Sequence, residues 1–132
     1  MQYRHFFPLL PVILIFLCGQ GCKTTIEGPQ GPTTATYRFG TYSTEESFDI
    51  DSLYEAALKA LTDLELSLSQ KTKDRLNATI IARDSEDKKI TIELLSVTKD
   101  ITKMSIRAGS FTRASRIHQM IYDCLSASVE QI

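Results

Sequence analysis

The residues whose types and spacing could support catalysis lie close together near the carboxyl terminus. Ser110, Ser115 and Asp123 flank His118, the only histidine beyond residue 5. A serine hydroxyl, a histidine base and a carboxylate that orients the histidine are the groups that many hydrolases use for acyl transfer. The G-x-S-x-G motif of the α/β-hydrolases does not occur in this chain. We therefore interpret His118 as a surface residue, beside Tyr122 on a helix. A small periplasmic hydrolase that uses Ser110 or Ser115 with His118 is the alternative.

The cysteines argue against a metal site. Beyond residue 22 the chain has one histidine and one cysteine, Cys124. These cannot supply the four ligands of a structural zinc site, so we predict no metal and no cofactor. Free cysteine is usually buried, which predicts a packing role for Cys124 on a helix. A disulfide between Cys22 and Cys124 is the weaker alternative.

The amino terminus has the organisation of a secretory signal. Arg4 gives the first residues a positive charge, and residues 6–18 contain no charged side chain. Gly19, Gln20 and Gly21 then provide the small or polar exit that signal peptides have. Spanning a bilayer takes about 20 apolar residues, more than this run provides. We therefore predict that residues 1–21 are a cleaved signal peptide.

The residues F-L-C-G-Q-G-C, which end at Cys22, resemble the lipobox of bacterial lipoproteins. Gly21 is the small residue which that motif places before the modified cysteine. The resemblance implies that Cys22 carries acyl chains, palmitate among them, and anchors the protein to a membrane. Thr24 is not the Asp that retains enteric lipoproteins at the inner membrane. The resemblance therefore implies the outer membrane rather than the inner one, with the domain facing the periplasm.

Residues 22–35 predict a lipidated cysteine followed by a disordered linker. The stretch contains Gly28, Pro29, Gly31 and Pro32 and almost no apolar side chain. Such a segment cannot offset its ordering entropy by burial. Its reach as a flexible chain would be about 20 Å, which would keep the domain close to its membrane.

Residues 36–132 predict one α+β domain. Aromatic and β-branched residues in 36–48 indicate a strand, with Gly40 as a bulge. Residues 49–52 offer caps for the helix that follows, and Ser52 with Glu55 would form a capping box. Apolar residues then alternate in four short runs that are joined by polar turns, as in an antiparallel meander with one buried face. The predicted fold is a two-layer antiparallel meander sheet with two helices on one face, in the order β-α-β-β-β-β-α, which is helix-grip-like. The residues expected to face the helices are Leu66, Leu68, Ala78, Ile80, Ala82, Ile90, Ile92, Leu94, Met104, Ile106 and Ala108.

The turn at Gly109, Ser110 and Phe111 is the remaining candidate site. The chain must reverse there between the last strand and the last helix, which favours a positive φ at Gly109. Ser110 or Thr112 would cap the helix, and Phe111 would close one end of the core. The alternative is that these three residues form a recognition loop.

Two further resemblances concern the domain. The stretches A-A-L-K-A-L-T-D-L and S-I-R-A-G-S-F, at residues 56–64 and 105–111, resemble an uncharacterised family (a domain of unknown function, DUF) of small bacterial lipoproteins. More distantly, the order of elements resembles the helix-grip domains of a lipoprotein component of the outer-membrane β-barrel assembly machinery. The first resemblance implies no particular function, and the second implies a binding or scaffolding role.

Composition narrows the class of partner. The formal net charge is -1 and 23% of the residues are charged, with both signs interspersed, so nucleic acid is not an expected partner. The function predicted is a membrane-anchored, non-enzymatic binding or scaffolding module of the bacterial cell envelope, whose partner is an envelope protein, a lipid or the cell wall. A carrier of lipid or another apolar ligand is a further alternative.

Overall fold

A computed structural model describes residues 22–130. Seven strands form one antiparallel sheet in the order β1-β2-β3-β7-β6-β5-β4, and two helices pack on one of its faces. The predicted α+β class, with both helices on one face of an antiparallel sheet, is confirmed. The elements are β1 (Cys22–Gly28), β2 (Gly31–Arg38), β3 (Thr41–Glu46), α1 (Ile50–Asp63), β4 (Ser67–Lys73), β5 (Asn77–Arg83), β6 (Lys89–Thr98), β7 (Ile101–Arg107) and α2 (Phe111–Val129).

The predicted linker is instead a β-hairpin, which makes the order β-β-β-α-β-β-β-β-α. β1 and β2 pair along their full length, from Cys22 opposite Tyr37 to Gly28 opposite Gly31. Their threonines have a high strand propensity, and the Gly-Pro-Gln-Gly stretch forms the turn between them. The same glycines and prolines that suggested disorder therefore reverse the chain. The predicted signal peptide, residues 1–21, lies outside the described residues.

The strand predicted over residues 36–48 is two strands rather than one. Phe39 and Gly40 have φ values of +50° and +76° and form a tight turn, so Gly40 is a turn residue and not a bulge. Arg38 pairs with Thr41 across this turn. β2 pairs with β3 only over residues 36–38, and the rest of β2 is held by β1.

The predicted helices are present, with one correction at a cap. Asp49 caps α1, because its carboxylate accepts hydrogen bonds from the backbone N–H and the hydroxyl of Ser52 (3.0 and 2.6 Å). The predicted capping box of Ser52 with Glu55 is therefore wrong, and Ser52 lies inside the first turn. Ser110 caps α2 as predicted, since its Oγ accepts a bond from the N–H of Arg113 at 3.2 Å.

The meander of β5, β6 and β7 buries the apolar residues that alternation assigned to the core. Ile92 faces Ile80 on one side and Ile106 on the other, and all three are fully buried beneath the helices. Leu68 is the exception, with 43% of its surface exposed. It lies on β4, which is an edge strand and whose residues are all exposed.

The turn before α2 has the predicted conformation. Gly109 has φ of +87°, a left-handed value that glycine reaches without steric cost. The ring of Phe111 packs against Tyr37 and Tyr42, each at 5.7 Å between ring centroids. Phe111 thus covers one end of the core while keeping about a third of its surface in solvent. Within residues 22–130, neither helix combines the length and the apolar character needed to cross a bilayer.

Replacing Ile92 by Ala should destabilise the domain strongly, because it removes a side chain that two neighbouring strands and the helices enclose. The expected loss is about 2–5 kcal/mol in the free energy of unfolding, measured by chemical denaturation. Thr91→Ala is the matched control, since Thr91 points to the opposite face of the sheet. Small and equal losses in the two variants would contradict the register.

Candidate functional site

His118 is buried, which corrects its predicted place on the surface. Only 1% of its side chain is exposed, because α2 turns this residue towards the sheet. Its neighbour in the helix, Tyr122, is buried as well, and the two ring centroids are 4.1 Å apart. The pairing predicted from their spacing is therefore correct, although it occurs inside the protein.

The buried histidine joins a hydrogen-bonded cluster whose other members lie on two different elements. Its Nδ1 lies 2.8 Å from the hydroxyl of Tyr42, and its Nε2 lies 2.7 Å from Oε1 of Glu46. The hydroxyl of Tyr122 donates to both carboxylate oxygens of Glu46, at 3.0 and 2.8 Å. We call Tyr42, Glu46, His118 and Tyr122 the buried polar cluster. No sequence motif links Tyr42 or Glu46 to the histidine.

Strand β3 and helix α2 position the cluster. Side chains along a strand alternate between its faces, so Tyr42, Thr44 and Glu46 all point towards the helices. Residues four apart on a helix are neighbours, which brings His118 and Tyr122 over the same part of β3. Thr44 lies between the two strand members of the cluster, and its buried hydroxyl has no hydrogen-bond partner among the described residues.

One placement of protons satisfies the whole cluster. Tyr42 donates to Nδ1 of His118, which leaves the imidazole proton on Nε2 to be donated to Glu46. Tyr122 supplies the second donor to the same carboxylate. A buried carboxylate is tolerated when donors surround it, and here two residues of α2 provide them.

Both tyrosines remain protonated donors at neutral pH. Burial is the main reason that the pKa of Tyr42 is raised, and the charge of Glu46 raises it further, while a hydrogen bond from Ser115 lowers it. Burial also raises the pKa of Tyr122, with its hydrogen bond to Glu46 as the next cause. The two tyrosine hydroxyls therefore act as hydrogen-bond donors within the cluster.

The order carboxylate, imidazole, hydroxyl is that of a hydrolytic triad, but this cluster is closed to substrates. None of its four side chains is more than 2% exposed. Both ring nitrogens of His118 are engaged by Tyr42 and Glu46, so neither is free to act on Ser110 or Ser115. The hydroxyl of Ser110 caps α2 instead. The structure thus does not assemble the candidate hydrolase.

Cys124 has the predicted packing role. It is buried on α2 with its Sγ 3.7 Å from Oδ2 of Asp63 on α1. Burial is the largest cause of the raised pKa of its thiol, and the Asp63 carboxylate adds to it, so the reactive thiolate is disfavoured. In the part of the chain from 22 to 130, no three His, Cys, Asp or Glu residues form a group that could hold a metal ion.

The face of the sheet that lies opposite the helices is open and polar. A shallow groove of about 690 Å³ runs along it over β1, β2, β3 and β7. Hydroxyl and basic groups dominate its lining, which makes it a surface for polar contacts and not for an apolar ligand. Residues that line it include Lys23, Thr34, Thr36, Arg38, Thr41, Ser43, Glu45 and Lys103.

Comparison with known proteins gives a family without an assigned activity. A family model described as "Protein of unknown function (DUF3568)" matches residues 6–123, which is most of the chain. A search of curated proteins found no match.

Replacing Glu46 by Gln should destabilise the domain, because an amide NH₂ cannot accept the bonds that His118 and Tyr122 donate. Leaving buried donors unsatisfied costs about 1–3 kcal/mol, and for a domain of this size the expected fall in Tm is several degrees. Glu45→Gln, one residue earlier and exposed, is the control and should leave Tm unchanged. An unchanged Tm in Glu46→Gln would show that the cluster does not stabilise the fold.

Proposed function

This chain belongs to the DUF3568 family of proteins of unknown function, and we propose that it is a lipoprotein of the bacterial cell envelope. In this proposal Cys22 is acylated after removal of residues 1–21. The folded domain is a non-enzymatic binding or scaffolding module that works at the surface of its membrane.

The observation that carries the proposal is the place of Cys22 in the fold. The cysteine at the end of the lipobox-like sequence lies on β1, directly opposite Tyr37 of β2. A lipid attached there would hold the sheet itself at the bilayer, without an intervening tether. Several acyl chains on one residue give a lasting anchor, whereas a single chain binds only marginally.

The extent of the family match supports the same proposal. The match begins at residue 6, inside the apolar run, and continues through Cys22 into α2. The apolar segment, the cysteine and the domain therefore fall within one family pattern. Thr24, in place of an Asp, favours the outer membrane, with the domain in the periplasm.

A binding role fits the distribution of accessible groups better than catalysis or transport does. The histidine of the described region is enclosed in the buried polar cluster. The layer between helices and sheet, where a carrier would hold an apolar ligand, is filled by fully buried side chains such as Leu53, Leu61 and Ile80. The resemblance to the helix-grip domains of the β-barrel assembly lipoprotein favours the same binding or scaffolding role.

If Cys22 is the anchor, Cys22→Ser should abolish metabolic labelling with palmitate and release the protein from sedimented membranes. Cys18→Ser is the matched control, four residues earlier within the predicted signal, and should retain both labelling and membrane association. If labelling is retained in Cys22→Ser and lost in Cys18→Ser, the modified residue is Cys18, which contradicts the proposal.

A further inference from the structure

Phe39 is the most exposed of the large apolar residues in the described region. Both its exposure to solvent and its backbone conformation are unfavourable. It has 97% of its surface exposed at the turn between β2 and β3. Its φ of +50° is one that bulky residues rarely adopt. Two-residue hairpin turns with two positive φ values ordinarily have Asn or Asp at this place, followed by the glycine that Gly40 provides. A phenylalanine that combines an unfavourable backbone conformation with a solvent-exposed ring indicates a contact with a molecule outside the domain.

The turn lies next to the proposed anchor and projects beyond it. Cys22 is level with Tyr37 on the adjacent strand, and Phe39 is two residues further along the chain. At the rise of an extended strand, Phe39 therefore lies roughly 7 Å beyond Cys22. An acylated Cys22 must sit at the membrane surface, so Phe39 would reach the boundary between headgroups and acyl chains. Interfacial apolar groups are typically buried there to about 5–10 Å.

The strand ends next to Phe39 carry positive charge, whereas the β5–β6 turn (residues 84–88), further across the same end of the sheet, is mainly acidic. We call residues 22–24, 36–43 and 105–113 the anchor end, because the pairing of β1, β2, β3 and β7 brings them together. It contains no Asp or Glu, and its charged residues are Lys23, Arg38, Arg107 and Arg113. The Arg38 guanidinium lies 5.5 Å from the centroid of the Phe39 ring. Arg107 Nε donates to Thr41 Oγ1 at 3.0 Å, which holds a second guanidinium beside the turn.

One of these cations is already engaged. Arg113 is ion-paired with Asp84, which lies just after β5 in the β5–β6 turn. The side chains of the anchor end that can meet an external anion are therefore Lys23, Arg38 and Arg107.

The opposite end of the same strands carries side chains of both charges. Around the β1–β2 turn, the start of α1 and the β6–β7 turn, acidic side chains alternate with Lys73, Lys99 and Lys103, of which Lys73 is ion-paired with Asp51. The concentration of basic groups beside Phe39 favours this end near an anionic surface, since basic residues are drawn to anionic lipids within about a Debye length. The exposed acidic residues at this far end are Glu27, Glu45, Asp51 and Asp100.

We propose that the anchor end is a membrane-contact surface for anionic phospholipid, in which Phe39 enters the bilayer interface and Arg38, Arg107 and Lys23 contact the headgroup phosphates. This inference rests on the proposed acylation of Cys22. The anchor and the Phe39 turn are then two points of attachment, and together they fix the orientation of the sheet to the membrane. A single lipid attachment would leave that orientation free.

The absence of tryptophan from the chain allows a direct test with one introduced reporter. Phe39→Trp and Val97→Trp are prepared as full-length, acylated proteins and reconstituted into phosphatidylcholine vesicles with or without phosphatidylglycerol. Val97, which is 52% exposed at the far end of the sheet, is the matched control. We expect Phe39→Trp emission to shift to the blue and to be quenched by brominated lipid in vesicles that contain phosphatidylglycerol. Val97→Trp emission should remain that of tryptophan in water.

A second arm tests the charges. Adding Arg38→Gln and Arg107→Gln to Phe39→Trp should reduce quenching in anionic vesicles towards the level in phosphatidylcholine alone. Each basic residue near such a surface favours the bound orientation by about fivefold, so removing the pair should weaken it by about 25-fold. Lys99→Gln, which removes a positive charge at the far end, should leave quenching unchanged.

Results that contradict the membrane contact of Phe39 can be distinguished from results that contradict the acylation of Cys22. Phe39→Trp emission that stays water-like in every vesicle, while the protein floats with the vesicles and carries palmitate, would overturn the inference alone. An emission shift that appears only when envelope proteins are added would overturn it in favour of a protein partner. Loss of palmitate from the wild-type chain would overturn the proposed function, and it is measured independently of the emission.

Discussion

The rest of the structure depends on the burial of one carboxylate. Glu46 lies on the inner face of β3 with 2% of its surface exposed. Burying a charge is unfavourable unless donors compensate it, and its donors come from His118 and Tyr122, both on α2. The helix can therefore occupy only the rotation and position that present these two side chains to β3. Partly satisfied polar networks are costly, so the cluster favours one packing of the helix over its alternatives.

The same cluster ties the first hairpin to the core. A side-chain carbon added at Gly28 would lie 3.0 Å from the hydroxyl oxygen of Tyr122 and 3.1 Å from the carbonyl oxygen of Gly31. Glycine therefore lets the end of β1 lie against Tyr122 without displacing it. The strand that begins at Cys22 thus ends against the buried polar cluster. An attachment at Cys22 would therefore hold the sheet directly.

Those parts of the fold in which burial follows a regular period could be predicted from the sequence. The alternation of apolar residues along 77–108 correctly predicted which residues of β5, β6 and β7 face the helices. Each of these strands has a neighbouring strand on both sides and is covered by the helices, so its inward side chains must be apolar. The same alternation wrongly predicted that Leu68 is buried, because an edge strand lacks a neighbouring strand on one side and is not fully covered by the helices. Composition failed for residues 22–35, where Gly and Pro form a turn and threonines form the strands. Thr33 and Ile26 are partners in register there, a non-local fact that composition does not reveal.

The candidate site was harder to predict, because its residues are far apart in sequence. Glu46 and His118 are separated by 72 positions, and a lone histidine on a helix is compatible with either face. A usable signal did exist in T-Y-S-T-E-E, the sequence of β3. Alternation with Tyr42 inward also places Glu46 inward, and a carboxylate on a core-facing position requires buried donors. The two donors could then have been sought among the polar residues of the apolar face of α2.

The central claim is that the residues directly after Cys22 form strand β1 of the sheet. Amide hydrogen exchange of the acylated protein in vesicles tests this claim most directly. The measurement compares the peptide that covers residues 23–28 with one that covers β3. We predict protection of the paired β1 amides that is comparable to the protection of β3, since each strand is hydrogen-bonded within the same sheet. Exchange of residues 23–28 at the rate of an unstructured chain, while β6 and β7 stay protected, would show a tether in place of a strand and would contradict the account.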